Sequence, residues 1–203
     1  MSLVYYLIVI AAGYMLGSLS SSLILSKLGW GKDVRKHGSG NAGATNMARV
    51  FGIGAGLATL AGDMLKAAAA IWLGKTLLGD VGIAVGGCAC ILGHCFPVFH
   101  NFRGGKGISV GAMIGLAIDW RVFVGIVVVF LIVAFLTKKV SAGSLAASVA
   151  LMVFALIFRV NTPKLLLAIF AACVAIFQHR SNIKRLAEGT EADFKAAEPK
   201  KRK

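Results

Sequence analysis

The chain has 203 residues, of which 58% are hydrophobic and 15% are charged, and its mean hydropathy is +0.81. These values exclude an ordinary soluble domain, in which about 45–50% of residues are apolar and about 25% are charged. The net charge of +14 is carried by basic residues in short loops and in the C-terminal tail, so it indicates membrane topology rather than a nucleic-acid partner.

Seven apolar segments follow one another along the chain, and we expect each to form a transmembrane helix. A span needs about 20 apolar residues, so the chain has room for about seven spans and for no separate soluble domain. The fourth segment covers only about 16 Å at a rise of about 1.5 Å per residue, which predicts either a span buried in protein or a re-entrant segment. In chain order the segments are residues 3–25, 50–78, 81–99, 108–118, 122–136, 141–158 and 164–177.

The basic residues also predict an orientation. If all seven segments cross, 17 Lys and Arg residues lie on one side of the membrane and four lie on the other. Because positive loops stay inside, we expect an all-α integral membrane protein of seven short transmembrane helices, with its N-terminus outside and its C-terminus in the cytoplasm. Residues 1–186 would form a single transmembrane domain, and residues 187–203 a mobile basic tail whose last four residues are attracted to anionic lipid headgroups.

The first cytoplasmic loop, residues 36–46, is rich in Gly, Ser, Thr and Asn. Glycines expose consecutive backbone N–H groups, polar side chains add donors, and the following helix N-terminus adds its dipole. This pattern predicts a phosphate site, although a flexible polar turn is the alternative. The candidate residues are Ser39, Gly40, Asn41, Gly43, Thr45, Asn46 and Arg49.

The second cytoplasmic loop, residues 93–107, contains His94 and carries two cations around a glycine pair before the fourth segment. Cationic side chains and backbone donors in this arrangement can converge on one anionic oxygen cluster. The alternative is a basic loop that lies among lipid headgroups. The candidate phosphate-binding residues are Arg103, Gly104, Gly105 and Lys106.

Two further polar positions lie at the start of the sixth segment and at the end of the seventh. Ser141 and Ser144 could bind a ligand or cap a helix. His179 and Asn182 are three residues apart and share a helix face, but a histidine at a helix end could equally be a surface residue.

Asp63 and Lys66 lie inside the second segment, where a charged side chain costs about 2.5–3.5 kcal/mol on insertion scales. At this spacing they could pair only with each other or could support a site. No carboxylate cluster suited to a metal ion is evident, so neither a metal nor another cofactor is expected.

Three loop motifs carry a family resemblance: GSGNAGATN followed by Arg49, GHCFPVF followed by FRGGKG, and SNIKRL with Gly and Glu in residues 181–191. Together they resemble the acyl-phosphate-dependent glycerol-3-phosphate acyltransferases of bacterial inner membranes. Ala42 stands where that family usually has proline, and Ala67 where it usually has glycine. Neither departure removes a donor or a charge.

The resemblance implies transfer of a fatty acyl group from acyl phosphate to the 1-hydroxyl of glycerol 3-phosphate, giving lysophosphatidate and phosphate. This is the first acylation of phospholipid synthesis, at an active site that faces the cytoplasm. The expected partners are acyl phosphate, glycerol 3-phosphate and the lipid bilayer, with no obligatory protein partner. The catalytic candidates are His94, His179 and Lys106, and Ser144, Asn182 and the Gly104–Gly105 backbone join the phosphate-binding residues.

The hydroxyl proton could pass to His94, to His179 or to the substrate's own phosphate. Two other classes of protein compete with this hypothesis. A transporter of phosphate esters would also need anion sites, but transporters bind their substrates at the membrane midplane between repeats. A metal-dependent phosphatidyl-alcohol transferase would need clustered aspartates, whereas Asp63 is the only acidic residue deep within a predicted span.

Overall fold

The computed structural model describes residues 2–197, and within that range its regular secondary structure is helical throughout. The predicted cluster of basic residues at positions 200–203 lies outside the described residues. Two short 3-10 turns, Val34–Lys36 and Val98–His100, lie in the loops. The helices are α1 Leu3–Ser18, α2 Ser21–Trp30, α3 Ala44–Phe51, α4 Ile53–Cys95, α5 Ile108–Ile118, α6 Trp120–Thr137, α7 Val140–Ile157, α8 Thr162–Gln178 and α9 Arg180–Ala187.

Helix α4 reverses direction at Gly79, whose φ of 60° and ψ of −140° are not helical. Its two halves then lie side by side: a Cβ on Gly74 would overlap the carbonyl of Gly82, and a Cβ on Gly86 would lie 2.6 Å from the carbonyl oxygen of Ala70. Glycines at these positions let the two backbones approach closely. The reversal falls between the second and third predicted segments.

The first predicted helix, residues 3–25, is wrong as a continuous element. Helix α1 ends at Ser18 and helix α2 starts at Ser21, with extended backbone at Leu19 and Ser20 between them. Ser20 caps α2, because its side chain accepts a hydrogen bond from the backbone N–H of Leu23. The break frees the carbonyl of Leu19, which becomes important in the site described below.

Two other predicted segments are also interrupted near one of their ends. The second is preceded by the separate helix α3, and Gly52, with φ of 93°, divides α3 from α4. The seventh ends in a bend of 59° between α8 and α9. The fourth predicted segment is confirmed, because α5 has the same bounds.

Among residues 2–197, four helical stretches are long and apolar enough to cross a membrane, and a fifth is added if the bent pair α8 and α9 counts as one span. Helix α5 is shorter, but Val110 and Ile114 within it are fully buried. The count of seven crossings and the orientation of the termini stay predictions. The four stretches are Leu3–Trp30, Ile53–His100, Trp120–Thr137 and Val140–Ile157.

The core lies between the second half of α4 and helices α5, α6, α7 and α8. Ile91, Ile114 and Leu167 are among its largest fully buried side chains. Large apolar side chains on the outer faces, such as Trp72 and Phe135, are exposed. This distribution suits a bundle surrounded by lipid, where apolar surface need not be buried in protein.

Candidate active site

A cavity of about 1120 Å³ opens between the loops and extends into the helix bundle. Its polar part is formed by the first loop together with Lys106 and Asn182. Its apolar part lies deeper, and it is lined by side chains such as Leu60, Phe130 and Leu151. One cavity therefore offers a charged end and an apolar end, an arrangement suited to amphipathic ligands.

Asn46 organises the first loop from within. Its side-chain nitrogen donates to the carbonyl oxygens of Val34, His37 and Asn41 at 2.9–3.1 Å, and its side-chain oxygen accepts from the N–H of Ser39 at 2.8 Å. Only 1% of its surface is exposed. Asn46 therefore positions the loop, whereas the sequence predicts that it contacts a phosphate directly.

Two glycines give the first loop its shape. Gly38 and Gly40 have φ values of 60° and 74°, which favour glycine, and a Cβ on Gly38 would overlap the side-chain oxygen of Asn46. The loop then leads into α3, whose N-terminal end lines the cavity at Ala44. All the phosphate-binding residues predicted in this loop line the cavity: Ser39, Gly40, Asn41, Gly43, Thr45, Asn46 and Arg49.

The first and second loops are joined by Arg35. Its guanidinium pairs with Asp33 at 2.9 Å and donates to the carbonyl oxygen of His100 at 3.2 Å. The hydrogen bond from Arg35 lowers the pKa of Asp33 to about 2, so the pair stays charged at neutral pH. This contact holds the two predicted phosphate loops together at one end of the bundle.

Lys106 and Asn182 meet at the mouth of the cavity, as their predicted shared role requires. The ammonium of Lys106 donates to the side-chain oxygen of Asn182. Burial lowers the pKa of Lys106 to about 8, with repulsion from Arg185 and Arg49 acting in the same direction and attraction to Glu191 opposing it. Lys106 is thus a partly buried cation that faces the cavity.

Glu191 fixes this arrangement, although sequence reasoning assigns it no role. Its carboxylate accepts from Ser141 Oγ at 2.6 Å, Asn182 Nδ2 at 2.7 Å and Arg185 Nε at 2.6 Å, and only 7% of its surface is exposed. Burial alone would raise the pKa of Glu191, but these hydrogen bonds outweigh it and hold the pKa below the ordinary value. Glu191 therefore stays ionised and orients Asn182 toward Lys106.

Ser141 and Ser144 do not cap α7, because that helix has Lys139 at its N-cap position. Ser141 instead binds Glu191, and Ser144 is buried in the cavity wall. The capping alternative is therefore wrong for both residues.

The backbone N–H groups of Gly104 and Gly105 are predicted to be free donors, but both make hydrogen bonds within the protein. The N–H of Gly104 donates to the carbonyl of Cys95 at 3.2 Å, and that of Gly105 donates to the carbonyl of His94 at 3.0 Å. With Arg103, the two glycines line a smaller adjoining cavity of about 280 Å³ rather than the main one. A Cβ on either glycine would overlap His94, so the pair allows close packing of the loop.

His94 lines the main cavity and contacts the charged pair inside α4. Its Nδ1 lies 3.1 Å from the ammonium of Lys66, which also lies 3.0 Å from Asp63 Oδ1 and donates to the carbonyl oxygen of Leu19 at 2.6 Å. Ser21 Oγ donates to Asp63 at 2.9 Å. Asp63 and Lys66 thus pair with each other, and Lys66 also contacts His94 in the cavity wall. Their support of a site stays a prediction.

His179 lies in the cavity wall with only 3% of its surface exposed. Its Nδ1 lies 2.7 Å from the carbonyl oxygen of Ala175. Because a carbonyl only accepts, this nitrogen carries the hydrogen, and Nε2 has a free lone pair in the neutral ring. The alternative of an exposed surface histidine is wrong.

Among residues 2–197, no three His, Cys, Asp or Glu side chains lie close enough together to hold a metal ion. The polar groups that line the described cavity are cations, amides, hydroxyls, two histidines and the carboxylates of Glu191 and Asp193. The cations, amides and hydroxyls can bind phosphate oxygens, and the histidines can donate or accept single protons.

Comparisons with known proteins agree with this geometry. A family model described as glycerol-3-phosphate acyltransferase matches residues 7–189. A glycerol-3-phosphate acyltransferase of Finegoldia magna is 38% identical over 193 residues, which is 95% of this chain and 98% of that one. The corresponding protein of Trichlorobacter lovleyi is 41% identical over 189 residues, 92% of this chain and 96% of its own.

Solved structures give the same result. The crystal structure of PlsY (YgiH), an integral membrane glycerol 3-phosphate acyltransferase, in its glycerol 3-phosphate form has a TM-score of 0.88 at 31% identity, covering 94% of this chain and 96% of that chain. Its lysophosphatidic acid form has a TM-score of 0.85 at 30% identity, covering 94% and 95%. The resemblance indicated by the three loop motifs is thereby confirmed, and the chain belongs to the glycerol-3-phosphate acyltransferase family.

Proposed function

We propose that this protein transfers a fatty acyl group from acyl phosphate to the 1-hydroxyl of glycerol 3-phosphate, giving lysophosphatidate and inorganic phosphate. Membership in the acyltransferase family supports glycerol 3-phosphate as the acceptor. The observation that supports the proposal is the main cavity, which has cations, amides and hydroxyls at its mouth and apolar side chains in its interior. Both substrates carry a phosphate, and the acyl donor also carries a chain that needs an apolar site.

The membrane arrangement belongs to the same proposal. Seven crossings follow if the two halves of α4 and the short α5 each span, together with the other long helices. The excess of basic residues on one side then supports an active site on the cytoplasmic face of the inner membrane. Glycerol 3-phosphate would enter from water, and the acyl chain would enter from the bilayer.

In the proposed reaction, the first loop, Arg49 and Lys106 hold the phosphates by charge-assisted hydrogen bonds. The 1-hydroxyl oxygen of glycerol 3-phosphate forms a bond to the acyl carbon, and the bond from that carbon to the phosphate oxygen breaks. Phosphate is a good leaving group, so an acyl-enzyme intermediate is not needed. Of the two cavity histidines, His179 has the free Nε2 lone pair and can accept the hydroxyl proton, with the departing phosphate as the alternative acceptor.

The test is release of inorganic phosphate by purified protein given palmitoyl phosphate and glycerol 3-phosphate. We expect release that depends on glycerol 3-phosphate and falls in a Lys106→Ala variant. Lys75→Ala is the matched control, because Lys75 is exposed on α4, outside the residues that line the cavity. If well-folded protein gave no product, the proposal would fail, and uptake of labelled glycerol 3-phosphate into proteoliposomes would test a transport role.

A further inference from the structure

The ammonium of Lys66 is surrounded by three acceptors. A protonated lysine has three N–H donors, and here the neighbours are the carbonyl oxygen of Leu19 at 2.6 Å, Asp63 Oδ1 at 3.0 Å and His94 Nδ1 at 3.1 Å. The Asp63 carboxylate compensates the buried charge. One donor is therefore available for each of the three acceptors.

This geometry fixes which nitrogen of His94 carries a hydrogen. Since Nδ1 accepts from the Lys66 ammonium, the neutral imidazole carries its hydrogen on Nε2. Asp63 lies 3.7 Å from Nδ1, which is too far for it to compete as a direct hydrogen-bond partner. The ring therefore presents an N–H group on the side away from the charged pair.

The Nε2 side of His94 packs against the backbone of Gly105. A Cβ on Gly105 would overlap Nε2, so glycine at that position lets the second loop approach this atom closely. Among residues 2–197, every fully enclosed side-chain nitrogen has a hydrogen-bond partner. Nε2 of His94 has no such partner among these residues, so this atom is not fully enclosed. Nε2 is therefore accessible from the cavity that His94 lines.

His179 presents the opposite arrangement. Its Nδ1 donates to the carbonyl of Ala175, which leaves Nε2 with a lone pair. The two cavity histidines are thus held in different tautomers by different partners. One is prepared to donate a hydrogen bond, and the other is prepared to accept a proton.

We propose that Lys66, aligned by Asp63, is a positioning residue that holds His94 as an Nε2–H donor to an oxygen of the bound acyl phosphate. This inference rests on the proposed acyl-transfer function. The oxygen is either a phosphate oxygen or the acyl carbonyl oxygen, which becomes negative as the glycerol hydroxyl attacks. A pair with only a structural role would not need a third partner in the cavity wall.

The break between α1 and α2 also helps to position Lys66. Leu19 precedes the Ser20 cap, and its carbonyl accepts from Lys66 instead of from a helical N–H. Ser21 Oγ holds Asp63 from the first residue of α2. The interrupted first helix thereby fixes the direction in which the Lys66 ammonium points.

The first experiment reads the tautomer directly. Protein labelled with 15N-histidine in lipid nanodiscs is examined by NMR, and the signals of His94 are assigned by their loss in His94→Ala. We expect the hydrogen of the unmodified protein on Nε2 and a bare Nδ1. A hydrogen found on Nδ1 would overturn the inference. Because the measurement is made on the unmodified protein, Asp63 and Lys66 are intact when the tautomer is determined.

The second experiment is a double-mutant cycle with His94→Ala. Lys66→Met is combined with Asp63→Asn, so that no buried charge is left unpaired. We expect the neutral pair to reduce kcat/KM for acyl phosphate by about tenfold, which corresponds to the loss of roughly one net hydrogen bond, and to cause little further loss when His94 is alanine. Equal losses in both backgrounds would show that the pair acts independently of His94.

Kinetic parameters separate the two candidate oxygens. A fall in kcat assigns the donor to the carbonyl oxygen that becomes charged in the transition state, and a rise in KM alone assigns it to a phosphate oxygen. Lys75→Met, which removes an exposed cation from the same helix, should change neither parameter. Absence of acyl transfer by the unmodified protein would refute the proposed function, whereas activity with the hydrogen on Nδ1 would refute this inference alone.

Discussion

Two lysines of this protein bind asparagine or aspartate side chains in different ways. Lys66 lies inside the helix bundle, where three acceptors surround its ammonium. Lys106 lies at the cavity mouth, where Asn182 is its hydrogen-bond partner among residues 2–197. A lysine that has used all its donors can orient other groups, whereas a lysine with donors to spare can bind a phosphate.

The partners of the two lysines also differ in sequence distance. Lys66 and Asp63 are three residues apart on one helix, so their pairing can be predicted from spacing. Lys106 depends on Asn182 and Glu191, which lie in α9 and in the segment that follows it. Lys106 is thus held by a network that only the folded chain brings together, as are the contacts of Lys66 with Leu19 and His94.

Removing the Lys106 charge should have the largest effect. We expect Lys106→Met to lower kcat/KM by about 100-fold or more, because one charge-stabilising donor in a site is worth about 10²–10³ in rate. The measurement is steady-state acyl transfer in detergent or nanodiscs. Lys75→Met serves as the control, and a variant that kept more than a third of the activity would show that Lys106 does not bind the reacting phosphates.

Removing the carboxylate of Glu191 should have a smaller but still large effect. We expect Glu191→Ala to lower kcat/KM by about tenfold, since it removes the charged acceptor that holds Asn182, Ser141 and Arg185 together. Thermal unfolding should show lower stability as well. Glu188→Ala is the comparison, because Glu188 pairs with Lys184 on the exposed surface of the same region and does not line the cavity; equal losses in both variants would contradict the orienting role of Glu191.

Asn46 should affect binding more than the chemical step. Asn46→Ala removes side-chain bonds to four backbone groups of the first loop, so we expect the KM for glycerol 3-phosphate to rise by about tenfold. Turnover at saturating substrate should change less, because Lys106 and the histidines lie outside this loop. Asn101→Ala, an exposed amide in the second loop, is the control. A fall in kcat with unchanged KM would contradict this division.

The smallest effect concerns pH. Because the pKa of Lys106 is lowered to about 8, the ammonium loses its proton as pH rises through that value, and phosphate binding should weaken there. We expect kcat/KM to fall severalfold between about pH 7.5 and 9. Lys106→Arg should remain charged throughout this range, so a similar fall in that variant would assign the pH dependence to another group.

Hydrophobic segments and loop motifs predict much of this architecture, and the reasons for the exceptions are local. Helix α5 has its predicted bounds because polar loop residues and Asp119 limit a short apolar run. The interruption at Leu19 was not predicted, since serines occur within membrane helices and only the fold shows that Ser20 caps a new one. The turn at Gly79 coincides with a short polar gap in an otherwise apolar sequence.

The sequence predicts which loop residues belong to the site, but the role of each residue depends on its contacts in the folded chain. The first-loop residues and Lys106 do line one cavity, as the clustering of donors predicts. Asn46 has a side chain that could bind a ligand, but its amide group makes hydrogen bonds to the loop backbone instead. Glu191 lies in a polar tail where nothing local distinguishes it from its acidic neighbours, so only the third motif pointed to it.

The most direct test of the account is a comparison of two acyl donors with the purified protein in nanodiscs. Radiolabelled palmitoyl phosphate and palmitoyl-CoA are each offered with glycerol 3-phosphate, and labelled lysophosphatidate is measured by chromatography and mass spectrometry. We predict product from the acyl phosphate only, with one inorganic phosphate released for each molecule formed. Product from the thioester alone would contradict the proposal that an acyl phosphate occupies this cavity.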